Sequence, residues 1–315
     1  MWPFRRVPTI DPTNGDPRAR ALIAALTARD RTAVREIFAS TTDPDHRTFL
    51  MNIVSDTSGV QDWIGQWIAD EPAATLPLLI RGCHAVGWAW DARGAAYASQ
   101  TGSEQFAEFF RRLRIAEDCL DEVTERDPDE ILAWTWLITS ARGRQLGPEQ
   151  AAARFQEVVK RAPYHLMAHS QRLQQLCQKW SGSHQEMFAF VREATAAAPA
   201  GHPLPALLAT AHFEYCMALP SGERSSYIGS WPVRQDLVAA ADKSVLNPAF
   251  VRVPGWASRA NTFAMLFWLN GHYSYANRVF DLIGDQVTES PWEHLSDEPA
   301  ARFAAARREV RRNGG

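Results

Sequence analysis

The sequence predicts an all-α protein, an α-solenoid of stacked antiparallel helix pairs. Three observations point there. Apolar residues recur at helical rather than alternating spacing along most of the chain. Segments ending in proline recur at Pro128, Pro163 and Pro199, 35 and 36 residues apart. A helix pair of that length cannot bury its apolar face alone, so neighbouring pairs stack. Hydrophobic residues make up 46% of the chain and charged residues 22%, which is enough apolar matter for a packed core and too much for a disordered chain.

Residues 1–15 hold three prolines, one glycine and no periodicity, and are expected to form an irregular arm. Asp16-Pro17 opens the first helix, with a carboxylate at the cap and proline in the first turn. Leu22, Ile23 and Leu26, then Val34, Ile37 and Phe38, mark two short amphipathic helices, the second capped by Asp30. Thr48–Val54 and Val60–Ala69 give two more, divided at Ser58-Gly59. Residues 16–74 are therefore read as N-terminal helices that cap an array or form a lobe of their own.

From 75 to 295 the helical pairs recur. Trp134 and Leu137 lie on a first helix, and Ala151 and Phe155 form a small-large pair four residues apart on the second. Ala168-His169 stands where Ala133-Trp134 stands one unit earlier. Ala116, Leu120, Val123 and Pro128 close a preceding unit, and Gly271, Ala276 and Phe280 repeat the spacing near the end. This pattern resembles the tetratricopeptide (TPR) family. The resemblance implies a superhelix whose first helices line a concave face. The pattern is degenerate in every copy: Gly143 and Gly147 bracket the turn of the unit 129–163, and a Ser- and Gly-rich insertion, expected to be irregular, occupies 219–232. Residues 296–315 read as a C-terminal helix with a basic tail carrying Arg302, Arg307, Arg308, Arg311 and Arg312.

The chain is also similar to a group of uncharacterised bacterial helical proteins. The residues carrying this are Gly87-Trp88, Arg93-Gly94, Lys179-Trp180-Ser181-Gly182-Ser183-His184 with Met187, and Ala211-His212 with Glu214. That resemblance implies an architecture and no reaction.

The candidate binding residues follow from the helical faces. Carried over from the TPR resemblance, the spacing from Trp134 and His169 implies that Leu132, Thr135, Thr139 and Arg142 of one first helix lie on the concave side. Met167, His169, Ser170, Gln174, Cys177 and Gln178 of the next follow, and His212 extends the face. Such mixed amides, hydroxyls and cations suit an extended peptide. Trp88 and Trp90, two residues apart, point different ways on a helix, so one can pack in the core while the other lines a groove; the plainer reading is a buried helix with a snorkelling Arg93. Arg93 neighbours Trp90, which allows a cation–π or carboxylate contact. Lys179, Trp180 and His184 form a candidate turn motif, though Ser183 with Glu186 reads as a capping box that folding alone explains. His165 and His169 share a face but lack a third ligand, so the bland reading is structural and no metal is expected.

Several function classes lack their signatures. There is no Gly-x-Gly-x-x-Gly, Walker loop, His-Glu-x-x-His or Gly-x-Ser-x-Gly, so no catalytic residue and no cofactor is assigned. Cys83, Cys119, Cys177 and Cys216 lie far apart, unlike a zinc knuckle or a redox pair. The net charge of −3 offers no global field for nucleic acid or an anionic membrane. Basic residues near the N-terminus precede no apolar signal core, and no run reaches the ~18 apolar residues of a spanning helix. The expectation is a cytoplasmic, non-enzymatic scaffold for a peptide or partner protein. The rival is an enzyme, or an accessory to one, with a small-molecule pocket between helices where Trp88, Arg93, His169 or His212 converge.

Overall fold

The structure, a computed structural model, describes residues 7–94, 101–180 and 182–314. Residues 1–6 of the expected arm, Ser181 of the turn motif and Gly315 of the tail lie outside the described residues. Within them the chain forms sixteen α-helices and no strand. No helix among them is long and apolar enough to cross a membrane. The chain divides into two compact units, Asp16–Gly182 and Ser183–Gly315, the latter together with Met1–Gly15. The division falls inside the stretch 75–295 that the repeat pattern treats as continuous.

The first unit holds α1 (Pro17–Ala28), α2 (Arg31–Ala39), α3 (Pro44–Asp56), α4 (Ile64–Asp70), α5 (Thr75–Arg93), α6 (Ser103–Arg126), α7 (Ile131–Arg144), α8 (Pro148–Val159) and α9 (Leu166–Leu176). The starts are written in the sequence. Asp16, Asp30 and Asp43 each accept a hydrogen bond from a first-turn amide, and Pro17, Pro44 and Pro148 occupy first helical positions. Pro128 and Pro163 lie just beyond the ends of α6 and α8.

Alternate helices α3, α5, α7 and α9 pack directly on one another, while α6 and α8 each pair with the helices on either side of them in sequence. Helices α1 to α4 thus belong to the same compact unit as α5 to α9. Trp67, Trp136, Phe109, Leu50, Met51 and Leu79 are fully buried there, each stabilising by roughly 1.5–3 kcal/mol relative to exposure. One buried carboxylate needs compensation: Glu117 on α6 accepts from Ser140 at 2.9 Å and Arg154 at 2.8 Å, and pairs with Arg144.

The second unit holds α10 (His184–Ala197), α11 (Leu207–Ala218), α12 (Ser221–Ile228), α13 (Trp231–Lys243), α14 (Trp256–Leu269), α15 (Tyr273–Ile283) and α16 (Pro299–Gly314). Helix α11 is its hub and touches α10, α12, α13 and α14. The insertion expected to be irregular is corrected here: residues 221–228 are helical. Its serines and glycine suggest a loop, but Pro220 sits at the cap, and Tyr227 and Ile228 anchor the short helix inward. The basic tail is largely absorbed by folding. Arg307 donates to the Gly284 carbonyl and to Asp285, Arg311 pairs with Asp281, and Arg302 lies over Trp268.

Gly143 and Gly147 bracket the turn between α7 and α8 as expected: Gly143 lies in the last turn of α7, Gln145 takes the left-handed conformation, and Gly147 caps α8. A Cβ on Gly143 would come within 2.8 Å of Leu113 and 2.9 Å of Phe109. Glycine at 143 allows that close helix approach.

Candidate functional site: an indole and guanidinium cluster

Four side chains in the first unit gather around two indoles. Trp90 and Arg93 come from the last turn of α5, one helical turn apart, so they share a face. Arg142 comes from the last turn of α7. Trp180 follows the end of α9, its backbone N–H donating to the Cys177 carbonyl at 2.9 Å. The indoles meet edge to face at 5.5 Å and 89°, and Phe109 of α6 closes the other side of Trp90 at 5.0 Å. Gly143 supplies the room for Phe109, which a Cβ there would meet at 2.9 Å, and Trp90 lies beside it at 3.5 Å.

Both guanidiniums reach both indoles. Arg93 Cζ lies 5.6 Å from the Trp90 ring and 5.7 Å from Trp180; Arg142 Cζ lies 5.1 Å and 5.3 Å from them. Each such contact is worth about 0.5–1 kcal/mol at a half-exposed position. Arg93 donates to the Gly94 carbonyl at 3.1 Å and Arg142 to the amide oxygen of Gln171 at 2.7 Å. The Trp90 indole N–H is buried and has no acceptor among the described residues. All four side chains are partly exposed. Arginine and tryptophan are side chains that can meet an oxyanion or stack against a planar group. The cluster contains no nucleophile paired with a base.

The other expected residues fall elsewhere. Trp88 faces away from this cluster, its ring 3.8 Å from Arg112 Cζ and 5.6 Å from Arg111 Cζ. Thr135 does not line an open groove: it is fully buried and donates to the Ile131 carbonyl. His169 is buried too, edge-on to Phe155 of α8 at 5.0 Å, with Nδ1 2.9 Å from the His165 carbonyl. His165 caps α9 through Nδ1, and its Nε2 is 2.9 Å from the Thr48 hydroxyl, so this pair builds the fold. Gln174 is half-exposed, and Gln178 and Lys179 are exposed. Trp88, Arg93 and His169 therefore have separate neighbours and form no common pocket. A cleft of about 340 Å³ lies elsewhere in the unit, lined by Thr42, Arg47, Asp127 and Glu130 among others. The Arg47–Glu130 ion pair at 2.8 Å occupies it.

The turn motif Lys179–His184 spans the boundary between the units. Gly182 is there because a Cβ would come within 2.2 Å of the Leu176 carbonyl oxygen. Ser183 caps α10 by accepting from the Glu186 amide, and its hydroxyl donates to the Glu186 carboxylate at 2.7 Å. His184 packs on Tyr215 at 4.5 Å.

His212 belongs to a polar network in the second unit. It is buried on α11, with Nδ1 2.7 Å from the Tyr227 hydroxyl and Nε2 3.1 Å from Asp236. Asp236 also takes Arg192 at 2.6 Å. With Nε2 carrying the proton toward the carboxylate, Nδ1 accepts the tyrosine O–H. Burial pushes the imidazole pKa down, partly opposed by Asp236. The four cysteines are buried and unbridged, and burial raises the pKa of Cys83, Cys119 and Cys216, away from thiolate chemistry.

Sequence reading singled out Arg93, Arg142 and Trp180 for three separate reasons and did not anticipate that they meet. It missed Gln171, Tyr227, Asp236 and Arg192, whose partners lie on other helices. No family model, curated protein or solved structure matches this chain.

Proposed function

We propose that the protein is a non-enzymatic interaction module, a TPR-like array of helix pairs that binds a segment of a partner protein. The anchor is the cluster of Trp90, Trp180, Arg93 and Arg142. The observation that carries this reading is the convergence of these four side chains from α5, α7 and the segment after α9, which are successive first helices in the repeat scheme. Their chemistry suits recognition: indoles and arginines are the residue types that dominate binding energy at protein interfaces. Half-exposed Gln174 and exposed Gln178 and Lys179, near the same end of the chain segment, supply adaptable polar contacts. The covering of α7 and α9 by α3 argues against a deep groove along the whole array and for binding at the helix ends.

The test is affinity capture from native lysate with wild-type protein beside folded Arg142→Glu and Trp180→Ala variants. A protein enriched by wild type and lost by both variants supports the reading. A co-purifying small molecule with no enriched protein overturns it.

A further inference from the structure

We propose that Tyr227, on α12 of the second unit, is a redox-active tyrosine, which gives one electron to an outer-sphere oxidant while its hydroxyl proton passes to His212. The oxidant belongs to the class of one-electron acceptors that react by electron transfer alone, such as an oxidising radical or a high-valent metal complex. The proposal goes beyond the interaction reading and does not rest on it.

The first reason is that the proton has a fixed destination. Removing an electron from a phenol turns its O–H into a strong acid, so oxidation is easy only where a base already holds that hydrogen. The Tyr227 hydroxyl lies 2.7 Å from His212 Nδ1, within the reach a general base needs. The other ring nitrogen, Nε2, lies 3.1 Å from Asp236. A carboxylate only accepts, so Nε2 carries the imidazole hydrogen and Nδ1 is the acceptor. Burial lowers the His212 pKa, which keeps the ring neutral and its Nδ1 lone pair ready for the proton. After transfer the imidazolium lies against Asp236, whose charge offsets its own, and Arg192 holds that carboxylate in place at 2.6 Å.

The second reason is the state of the phenol and the rings around it. Burial, reinforced by Tyr215, Cys216 and Asp236, pushes the Tyr227 pKa above the ordinary tyrosine value, so the resting group is the phenol and not the phenolate. Electron and proton must then leave together. The oxidant does not have to touch the hydroxyl, because an electron can pass through the ring. Tyr227 packs on Tyr215 at 4.7 Å, and Tyr215 on His184 at 4.5 Å. All three rings are partly exposed, so a colliding oxidant reaches the stack from solvent. In the step the Oη–H bond breaks and a bond from that hydrogen to Nδ1 forms. Tyr227 becomes a neutral phenoxyl radical, and the oxidant is reduced by one electron.

The experiment photogenerates tris(bipyridine)ruthenium(III) beside the full chain and follows radicals by transient absorbance and electron paramagnetic resonance. Wild type should form a tyrosyl radical that Tyr227→Phe largely removes. His212→Gln keeps a hydrogen-bond acceptor but no base, and should slow radical formation at least about tenfold. Asp236→Asn should slow it too, since the imidazolium loses its counter-charge. In heavy water the wild-type rate should fall, because the proton moves with the electron. Circular dichroism verifies folding; if His212→Gln does not fold, the Asp236→Asn rate and the wild-type isotope effect decide.

A tyrosyl radical undiminished in Tyr227→Phe overturns the proposal. So does a rate unchanged in folded His212→Gln, which would leave the hydrogen bond a purely structural one, or a wild-type rate that is the same in heavy water.

Discussion

Replacing Gly87 with alanine adds one methyl group where α5 packs on α3. An ideal Cβ there would lie 2.2 Å from the Ser55 hydroxyl and 2.8 Å from the Ser55 carbonyl oxygen. The hydroxyl can rotate away, at the loss of its 3.4 Å contact with the Cys83 carbonyl. The carbonyl cannot, so α3 and α5 must part. Overpacking of this kind costs about 1–3 kcal/mol. Alanine returns up to about 1 kcal/mol of helix propensity over glycine. At the middle of that range the net loss is about 1 kcal/mol, or a fall in Tm of about 2–4 °C for a unit of this size. Gly65 is the matched control: it lies in α4 with nothing within 4 Å of its Cβ direction. Gly65→Ala should therefore raise Tm by about 1–4 °C through propensity alone. Calorimetry on both variants decides. The double variant Ser55→Ala/Gly87→Ala should recover only part of the loss, because the carbonyl remains. A Gly87→Ala protein as stable as wild type would refute the close-packing account of this glycine.

Three further outcomes follow from buried polar groups and caps. Burial holds the His212 pKa below its unfolded value, so the unfolded chain takes the proton first as pH falls. The stability from neutral His212 is complete above about pH 6.5 and is lost as pH drops toward the folded pKa. Unfolding measured from pH 7.5 to 5 should show a shallower slope in His212→Gln than in wild type; an unchanged slope would refute this. Glu117→Ala strands the largely buried guanidinium of Arg154 and removes the partner of the exposed Arg144, and chemical denaturation should show a loss of about 3 kcal/mol. A loss under 1 kcal/mol would mean that water already compensates these charges. Ser183→Ala removes the cap of α10 and should cost about 1 kcal/mol, read as faster amide exchange in the first turn of that helix. Exchange unchanged in residues 184–187 would count against the cap.

Local rules made much of this protein legible before its coordinates. Asp16-Pro17, Asp30 and Ser183 start helices where they stand, because a cap needs only its own next three residues. Pro128, Pro163 and Pro199 follow helices because the ring forbids continuation. Trp90 and Arg93 were neighbours by helix geometry alone. The repeat spacing also placed Ala151, Phe155, Ala276 and Phe280 at buried positions.

What depends on distant residues was decided by packing. A helical face is read to within one residue, and a slip of one rotates it by about 100°; that uncertainty separates a groove residue from the buried Thr135. The short helix α12 hides in a Ser- and Gly-rich composition, because its anchor Tyr227 finds His212 only once α11 and α12 meet. Gly143 flanks the turn as the sequence indicates, but its close approach to Leu113 and Phe109 shows only once α6 is packed against α7. The meeting of Arg93, Arg142 and Trp180 is likewise invisible in one dimension. The first two lie 49 positions apart and the last two 38. Sequence determined which segments are helical, since backbone hydrogen bonds and caps are local; only tertiary structure decided which side chains share a surface, since that is set by how helices cross.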